Sequence, residues 1–572
     1  MASILSWSVA DFKSLGQADL ALPHLTVLAG ANSSGKSSVL QSILMVAQSV
    51  TRGGAIIMNG PLVRLGEPRD IVREGQSAVE LRFLVQIDAG SPSEGPRPKQ
   101  IEVSLSLAPS LDGVSLRPSA IEICDSNGSL SFAATSERTR SADVESLSKG
   151  AAHSGATFLR VTTVSGRRAP NRMYVGFVGM TPTSLALHFD PRVIERVVAA
   201  ALSDFVGSER LTYEVAQELS SLVPRRPYLR EIGKAELEEK RSAQGVSAWW
   251  TPKDLTSLSE DERDALIARA ASRRAANEWA VVGVRGSFFG LSRSVGHRYR
   301  AEGFIEELLA GEYALSMLML GSFAEAIEEF GGHVKYLGPL REEPRVVQGA
   351  WDERVDALPV GIRGELTAEV LTREKDRVTA FHDWNDHPHR ATLPEAASMW
   401  CDYLGIGDHI RVLDLGKLGR GVNLRVDGTE RDLTMIGVGA SQLLPILVAC
   451  LSVERNSVVL VEQPELHLHP SVQSKLADFF LFARRDVQFV VETHSEYLIT
   501  RLRRRIAEER TEPHRVQVLY AERRGAATQV RPLALTAGGD FDEWPDGFFD
   551  AQEADVRHIV RAVAARMAKE RA

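Results

Sequence analysis

The run Gly30-Ala31-Asn32-Ser33-Ser34-Gly35-Lys36-Ser37 constrains this chain more than any other feature, because it matches GxxxxGK[ST] in full. Just before it, Leu25-Thr26-Val27-Leu28-Ala29 is an apolar run of buried-strand type, and just after it Ser38 to Gln48 reads as a helix. Strand, glycine-rich turn and helix together predict a phosphate loop. Glycines let the backbone curl so that successive N–H groups converge on phosphate oxygens. The helix N-terminus adds a dipole that favours anions. Gly30, Asn32, Ser33, Ser34, Gly35 and Ser38 then form or flank the cradle. Lys36 would bridge the β- and γ-phosphates of a nucleotide, and the Ser37 hydroxyl would ligate Mg²⁺.

Such a loop needs an α/β layer to stand in, and 572 residues at 44% hydrophobic composition leave ample chain for one. The formal net charge of −8 argues against a uniformly basic nucleic-acid coat, although a local basic patch stays possible. Cys124, Cys401 and Cys450 are far apart and form no CxxC pair. Neither a disulfide framework nor a cysteine zinc site is expected, which fits a reducing cytoplasm. The start, Met1 to Asp11, has no basic n-region and reads as no signal peptide. The longest apolar stretch, Leu443 to Val453, is about half the roughly 20 residues that span a bilayer. A cytoplasmic protein without a membrane segment is expected.

Along the chain, Val79, Leu81, Phe83, Val85 and Ile87 alternate with polar residues, as do Ile101, Val103, Leu105 and Leu107. These predict half-buried antiparallel strands, joined by the turn-rich segment Ala89 to Pro98. From about Pro191 helical spacing takes over in Ile194, Val197, Val198, Ala201, Leu202 and Phe205. A capping-box start at Ser259-Glu260-Asp261-Glu262 predicts a helix to about Trp279, and another is expected from about Phe304 to Gly331-Gly332. The expected organisation is residues 1–190 as the first part of an α/β unit with a β-rich lobe, 191–332 as a helical insertion, and 333–572 as the second part of that unit.

A second acidic half is expected to complete the phosphate loop. Ser457 to Val461 is a short apolar run ending in Glu462-Gln463-Pro464-Glu465, followed by Leu466-His467-Leu468-His469-Pro470. Val487 to Val491 is another, ending in Glu492-Thr493-His494-Ser495. Upstream, Gly437-Val438-Gly439-Ala440-Ser441-Gln442 is a glycine-rich turn leading into the apolar helix from Leu443. This ordered set resembles the signature, Walker B and switch-histidine series of ABC-type ATPases, in the wording of the RecF/Rad50/OLD-like "AAA" branch. Phe12-Lys13-Ser14, Tyr336 to Arg341 and Trp544-Pro545-Asp546-Gly547-Phe548-Phe549 look like segments of the same branch. The resemblance covers about residues 1–190 and 333–550.

The resemblance implies a split α/β ATPase head, with a P-loop mixed sheet plus an antiparallel β lobe and a helical insertion. Lys13 would join the nucleotide-binding set. Gly439, Ser441 and Gln442 would contact the γ-phosphate of ATP bound by a second protomer, giving a homodimer or higher assembly through the heads. Glu462 would stand at the Walker B position beside Mg²⁺, and His494 would sense the γ-phosphate. One departure matters: Gln463 stands where the family carries a catalytic Glu. An amide cannot accept a proton as a carboxylate does, and general-base help is typically worth 10²–10⁴-fold. Glu465 or His494 is expected to substitute, or hydrolysis is slow or stimulated by a partner.

Other patterns carry weaker alternatives. His467, His469 and His494 could form a zinc cluster, though each already has a place in the ATPase series. Arg501, Arg503, Arg504 and Arg505 could hold a DNA backbone or form a solvated helix face balanced by Glu508 and Glu509. Asp540, Asp542, Glu543, Asp546, Asp550, Glu553 and Asp555 form an acidic run, but no second acidic strand end follows His494 to complete a nuclease site. The resemblance therefore implies an ATPase acting in phage defence or DNA maintenance, with a separate effector such as a nuclease. The alternatives are a nucleotide-gated assembly scaffold and an ATP-dependent nuclease of OLD type.

Overall fold

The computed structural model describes residues 2–51, 55–87, 100–125, 131–150, 156–164, 167–169, 173–188, 279–283, 312–343, 345, 360–414, 416, 419–545, 558–563 and 566. They belong to two compact units. The larger comprises residues 3–86, 106–117 and 327–572 and carries the phosphate loop.

The strands of this unit follow one another as Val334–Leu337, Val458–Glu462, Gln488–Glu492, Leu25–Gly30 and Val516–Arg524, all parallel. Ala527–Leu533 then pairs antiparallel with the last of these, Leu15–Leu20 runs parallel to it, and Ala2–Ala10 pairs antiparallel with Leu15–Leu20. This is the mixed α/β class expected from the sequence. The central strands read as continuous apolar runs because helices cover both faces of a parallel sheet. Val458–Glu462 is buried at every position, and Leu25–Gly30 at all but its last.

The helices are set by local chemistry. Val438–Ser452 is buried from Ala440 through Ser452, so the apolar run from Leu443 is a core helix. Among the described residues no helix is long and apolar enough to cross a membrane. Leu393–Leu404 opens on a Thr392/Glu395 capping box and closes on Gly405 in the left-handed conformation at φ 77°. Pro470–Phe482 starts at the proline, with His469 as its N-cap. Glu496–Ala507 is capped by Ser495, whose side chain accepts from the Leu498 N–H.

The smaller unit, described by itself, contains an antiparallel meander. Leu116–Asp125, Ser131–Thr135, Thr157–Val164, Met173–Val178, Thr181–His188 and Trp279–Gly283 each pair antiparallel with the next. Tyr174 is buried there and donates to Asp143 Oδ2 at 2.6 Å. The expected alternating strands are present as Val79–Ile87, in the larger unit but for its last residue, and Gln100–Pro109, divided between the units after Leu105, with Val79, Leu81, Phe83, Val85, Ile101, Val103, Leu105 and Leu107 fully buried.

Two expectations change. Trp279–Gly283 is a strand inside the segment expected to be helical, because its β-branched pair Val281-Val282 extends the meander. The helix Glu312–His333 runs through Gly331 and Gly332. A Cβ on Gly331 would lie 3.2 Å from Val50 Cβ, so that glycine permits close packing. The Ala89–Pro98 turn, the Ile194–Phe205 helix, the helix starting at Ser259, the start of the Phe304 helix, and Asp546 to Phe549 with the acids beyond lie outside the described residues.

Candidate functional site

The strand Leu25–Gly30 delivers the loop and the helix Lys36–Thr51 leaves it. Backbone shape follows from the residues at its corners. Gly30 sits at φ 142°, and an added Cβ would come 2.3 Å from the Ala521 carbonyl oxygen. Gly35 sits at φ 93° with Thr528 Oγ1 2.7 Å from the same virtual atom. A side chain at either place collides with the neighbouring strand, so glycine is required there.

A cleft of about 550 Å³ opens over this loop. It is lined by Lys13, Ser14, Asn32, Ser33, Ser34, Gly35, Lys36, Ser37, Ser38, Gln41, Gln463, Glu492 and His494. Of the expected loop residues Asn32 to Ser38 line it, Gly30 stands outside the lining, and Lys13, Gln463 and His494 join them from elsewhere in the chain. Ser14, named in the sequence only within Phe12-Lys13-Ser14, lines it too, and Gln41 does so without having been singled out. Lys13 donates to Gln41 Oε1 at 2.9 Å, which orients its ammonium at the rim. Lys36 Nζ donates to the carbonyls of Gly30 at 3.0 Å and Ala31 at 2.7 Å. Burial lowers its pKa, while Glu492 and Glu465 work in the other direction.

The carboxylates divide into three roles. Glu492 closes the strand Gln488–Glu492, and its Oε1 accepts from the Ser37 hydroxyl at 3.0 Å. Glu462, one strand further out, does not line the cleft; its Oε1 accepts from the Tyr336 hydroxyl at 2.8 Å. Burial first, and Glu492 second, push the Glu462 carboxyl up to about 7. Glu465 is also absent from the lining: it accepts from the Thr493 hydroxyl at 2.8 Å and the His494 N–H at 2.6 Å. Both of its oxygens are thereby engaged in fixing the turn that carries His494. The expectation that Glu465 substitutes as a base changes accordingly, because its geometry is that of a positioning residue. The His494 ring faces the cleft and its pKa is lowered by burial and by Lys36.

Gln463 holds a left-handed backbone at φ 44°. Its N–H donates to the Glu492 carbonyl at 2.7 Å, and its carbonyl accepts from Arg341 Nη1 at 2.9 Å. Arg341 also donates to the Glu462 carbonyl at 2.9 Å and the Pro339 carbonyl at 2.8 Å. Its buried guanidinium, lowered by burial to about 10, therefore locks the turn after Val458–Glu462. The sequence signalled Arg341 only as part of Tyr336 to Arg341, without this role.

Gly439, Ser441 and Gln442 do not line the cleft of their own chain. Ser441 and Gln442 are buried, and Ser441 donates back to the Val438 carbonyl at 2.8 Å. At the helix start Val438 is exposed, as is Met435 just before it.

The basic stripe is consumed internally. Asp478, fully buried, receives Arg505 at 2.6 and 2.9 Å, Arg501 at 2.8 and 3.0 Å, and the Tyr403 hydroxyl. Arg504 pairs with Glu508 at 2.7 Å. Arg503 pairs with Asp540 and packs over the Phe541 and Trp544 rings, 5.6 and 5.0 Å from their centroids. Arg501, Arg503 and Arg505 thus tie the helix Glu496–Ala507 to its neighbours, while Arg504 pairs with that helix's own C-cap residue. No group of three or more His, Cys, Asp or Glu side chains among the described residues is placed to hold a metal ion, so His467, His469 and His494 form no zinc cluster there.

The fit to a nucleotide shows in two orphaned atoms. Ser34 Oγ and Glu492 Oε2 are buried without a hydrogen-bond partner, and both residues line the cleft. A phosphate would accept from the first, and a cation would meet the second.

Comparison with known proteins adds two segments. Residues 375–500 match the family described as "AAA domain, putative AbiEii toxin, Type IV TA system". Residues 512–559 match a family described as "Protein of unknown function (DUF3696)". No curated protein sequence matches the chain. Solved structures similar to it include the Smc head domain with an extended coiled coil bound to the C-terminal domain of ScpA from Pyrococcus furiosus, at 13% identity and TM-score 0.35, covering 93% of this chain and 97% of that one. The Smc head domain with a coiled coil and joint from Pyrococcus yayanosii matches at 14% and 0.33, covering 94% and 98%. The SMC head domain from Thermotoga maritima matches at 8% and 0.31, covering 93% and 98%. At these scores the likeness bears no weight for mechanism. The AAA match is of a different kind: it spans the turn at Gly437, the strand end at Glu462 and the His494 turn, and the sheet sets the strand that leads to His494 directly beside the phosphate-loop strand, which lies outside the matched segment.

Proposed function

We propose that this chain binds ATP with Mg²⁺ in the cleft above Gly30–Ser38 and hydrolyses it slowly, as an ABC-type ATPase whose heads pair around nucleotide. The observation that supports it is the convergence of Asn32–Ser38 of the loop with Lys13, Gln463, Glu492 and His494 on one cleft. Lys36 and the first-turn N–H groups would hold phosphate. The cation would neutralise charge on the transferred phosphoryl group. Arg341 and Glu465 hold the turns that carry Gln463 and His494.

The signature residues Gly439, Ser441 and Gln442 stand away from their own chain's cleft. On this proposal they serve a second copy, which makes ATP a bridge between heads. Nucleotide binding then controls a separate effector in phage defence or DNA maintenance. The scaffold alternative keeps one specific observation: the cleft holds Gln463 where a proton acceptor would be needed, and Glu465 is engaged elsewhere. Equilibrium binding of ATP to the full chain, and its loss in Lys36→Ala, tests the proposal.

A further inference from the structure

Two parallel strands end side by side in carboxylates, Glu462 opposite Glu492, and only one of the two reaches the cleft. Glu462 is held by Tyr336. Glu492 lies on the strand between Val458–Glu462 and the phosphate-loop strand, with its backbone fixed from both sides. Its carbonyl accepts from the Gln463 N–H at 2.7 Å, and the next residue, Thr493, donates to the Leu28 carbonyl at 3.0 Å. The side chain is therefore carried to Ser37 by the sheet register itself. One carboxylate oxygen meets the Ser37 hydroxyl at 3.0 Å; the other is buried with no partner, in a residue only 3% exposed.

We propose that Glu492, together with Ser37, holds the divalent cation that accompanies the nucleotide, and that Glu462 stands behind it as a buried neighbour. The inference rests on the nucleotide assignment of the cleft. Mg²⁺ prefers one or two carboxylate or hydroxyl oxygens completed by phosphate oxygens and water. A single buried carboxylate oxygen left free beside the phosphate-loop hydroxyl supplies that need. A cage of protein carboxylates is not required, in keeping with the lack of any three-residue metal cluster among the described residues. An unpaired carboxylate oxygen costs desolvation without return unless a cation or donor arrives. Burial raises the Glu492 carboxyl, the Ser37 hydroxyl and Lys36 pull it the other way, and Lys36 donates to its own loop carbonyls.

The test is calorimetric titration of the full chain with ATPγS, once in EDTA and once in Mg²⁺, supported by Mn²⁺ binding followed by electron paramagnetic resonance. Wild type should bind more tightly with Mg²⁺ than in EDTA. Glu492→Gln keeps an acceptor for Ser37 and removes the charge. It should lose about 10- to 100-fold of affinity in Mg²⁺, the range typical of an impaired metal site, while its EDTA affinity stays unchanged. Ser37→Ala should show the same selective loss, and it serves should Glu492→Gln fail to fold. Glu462→Gln should keep the gain from Mg²⁺. A full Mg²⁺ gain in Glu492→Gln, or loss of that gain in Glu462→Gln alone, overturns the proposal. A wild-type chain that binds ATPγS in neither condition defeats the nucleotide assignment and this inference with it.

Discussion

Replacing Glu462 by Gln isolates a charge that the fold tolerates at a cost. Glu462 is 8% exposed and its carboxyl is raised from the ordinary 4.5 to about 7, chiefly by burial and secondly by Glu492. A shift of that size corresponds to about 3 kcal/mol between the two protonation states. The folded chain binds this proton more tightly than the unfolded chain. No penalty exists below pH 4.5; it grows as pH rises and is complete above about pH 7. Glu462→Gln keeps an oxygen to accept from Tyr336 and removes the charge. The variant should therefore match wild type near pH 4.5 and exceed its stability by up to about 3 kcal/mol at pH 8. The assay is thermal unfolding of both proteins from pH 5 to pH 8, read as the difference in Tm against pH. A difference that is flat across that range, or a variant less stable at pH 8, refutes the reasoning.

Two further outcomes follow from the geometry. Asp478→Ala leaves Arg501 and Arg505 without their buried counter-charge, and should destabilise by about 3–5 kcal/mol, read as the shift in the urea unfolding midpoint. Gln463→Glu restores a proton acceptor at the cleft and should raise phosphate release from ATP, toward the 10²–10⁴-fold typical of general-base help; a turnover equal to wild type removes Gln463 as the cause of slow hydrolysis.

Local chemistry made the phosphate loop legible: eight consecutive residues, one apolar strand and one helix specify it before any tertiary contact forms. Two of the parallel strands, Val458–Glu462 and Gln488–Glu492, are legible for a similar reason, as short apolar runs ending in acids. The role of Glu492 was not, because it depends on register. Glu492 pairs with Leu28 on one side and Glu462 on the other, and it meets Ser37 from 455 positions away. Both acidic strand ends look alike in sequence; only the strand order decides which one faces the loop. The arginines failed as a sequence signal for a related reason. Helical spacing placed Arg501, Arg503, Arg504 and Arg505 together, while Asp478 and Asp540, which bind three of them, come from elsewhere in the chain. Trp279–Gly283 was hidden because a strand that adds to a meander needs its neighbour Thr181–His188 to declare it.

The central claim is that the cleft over Gly30–Ser38 is an ATP site anchored by Lys36. The most direct measurement is the dissociation constant of ATP with Mg²⁺ for the full chain and for Lys36→Ala, taken by calorimetry on samples with equal Tm. The account predicts saturable binding near one ATP per chain in wild type and at least a tenfold loss, about 1.4 kcal/mol, in the variant. Equal affinity in the two proteins, or no binding by wild type, would contradict it.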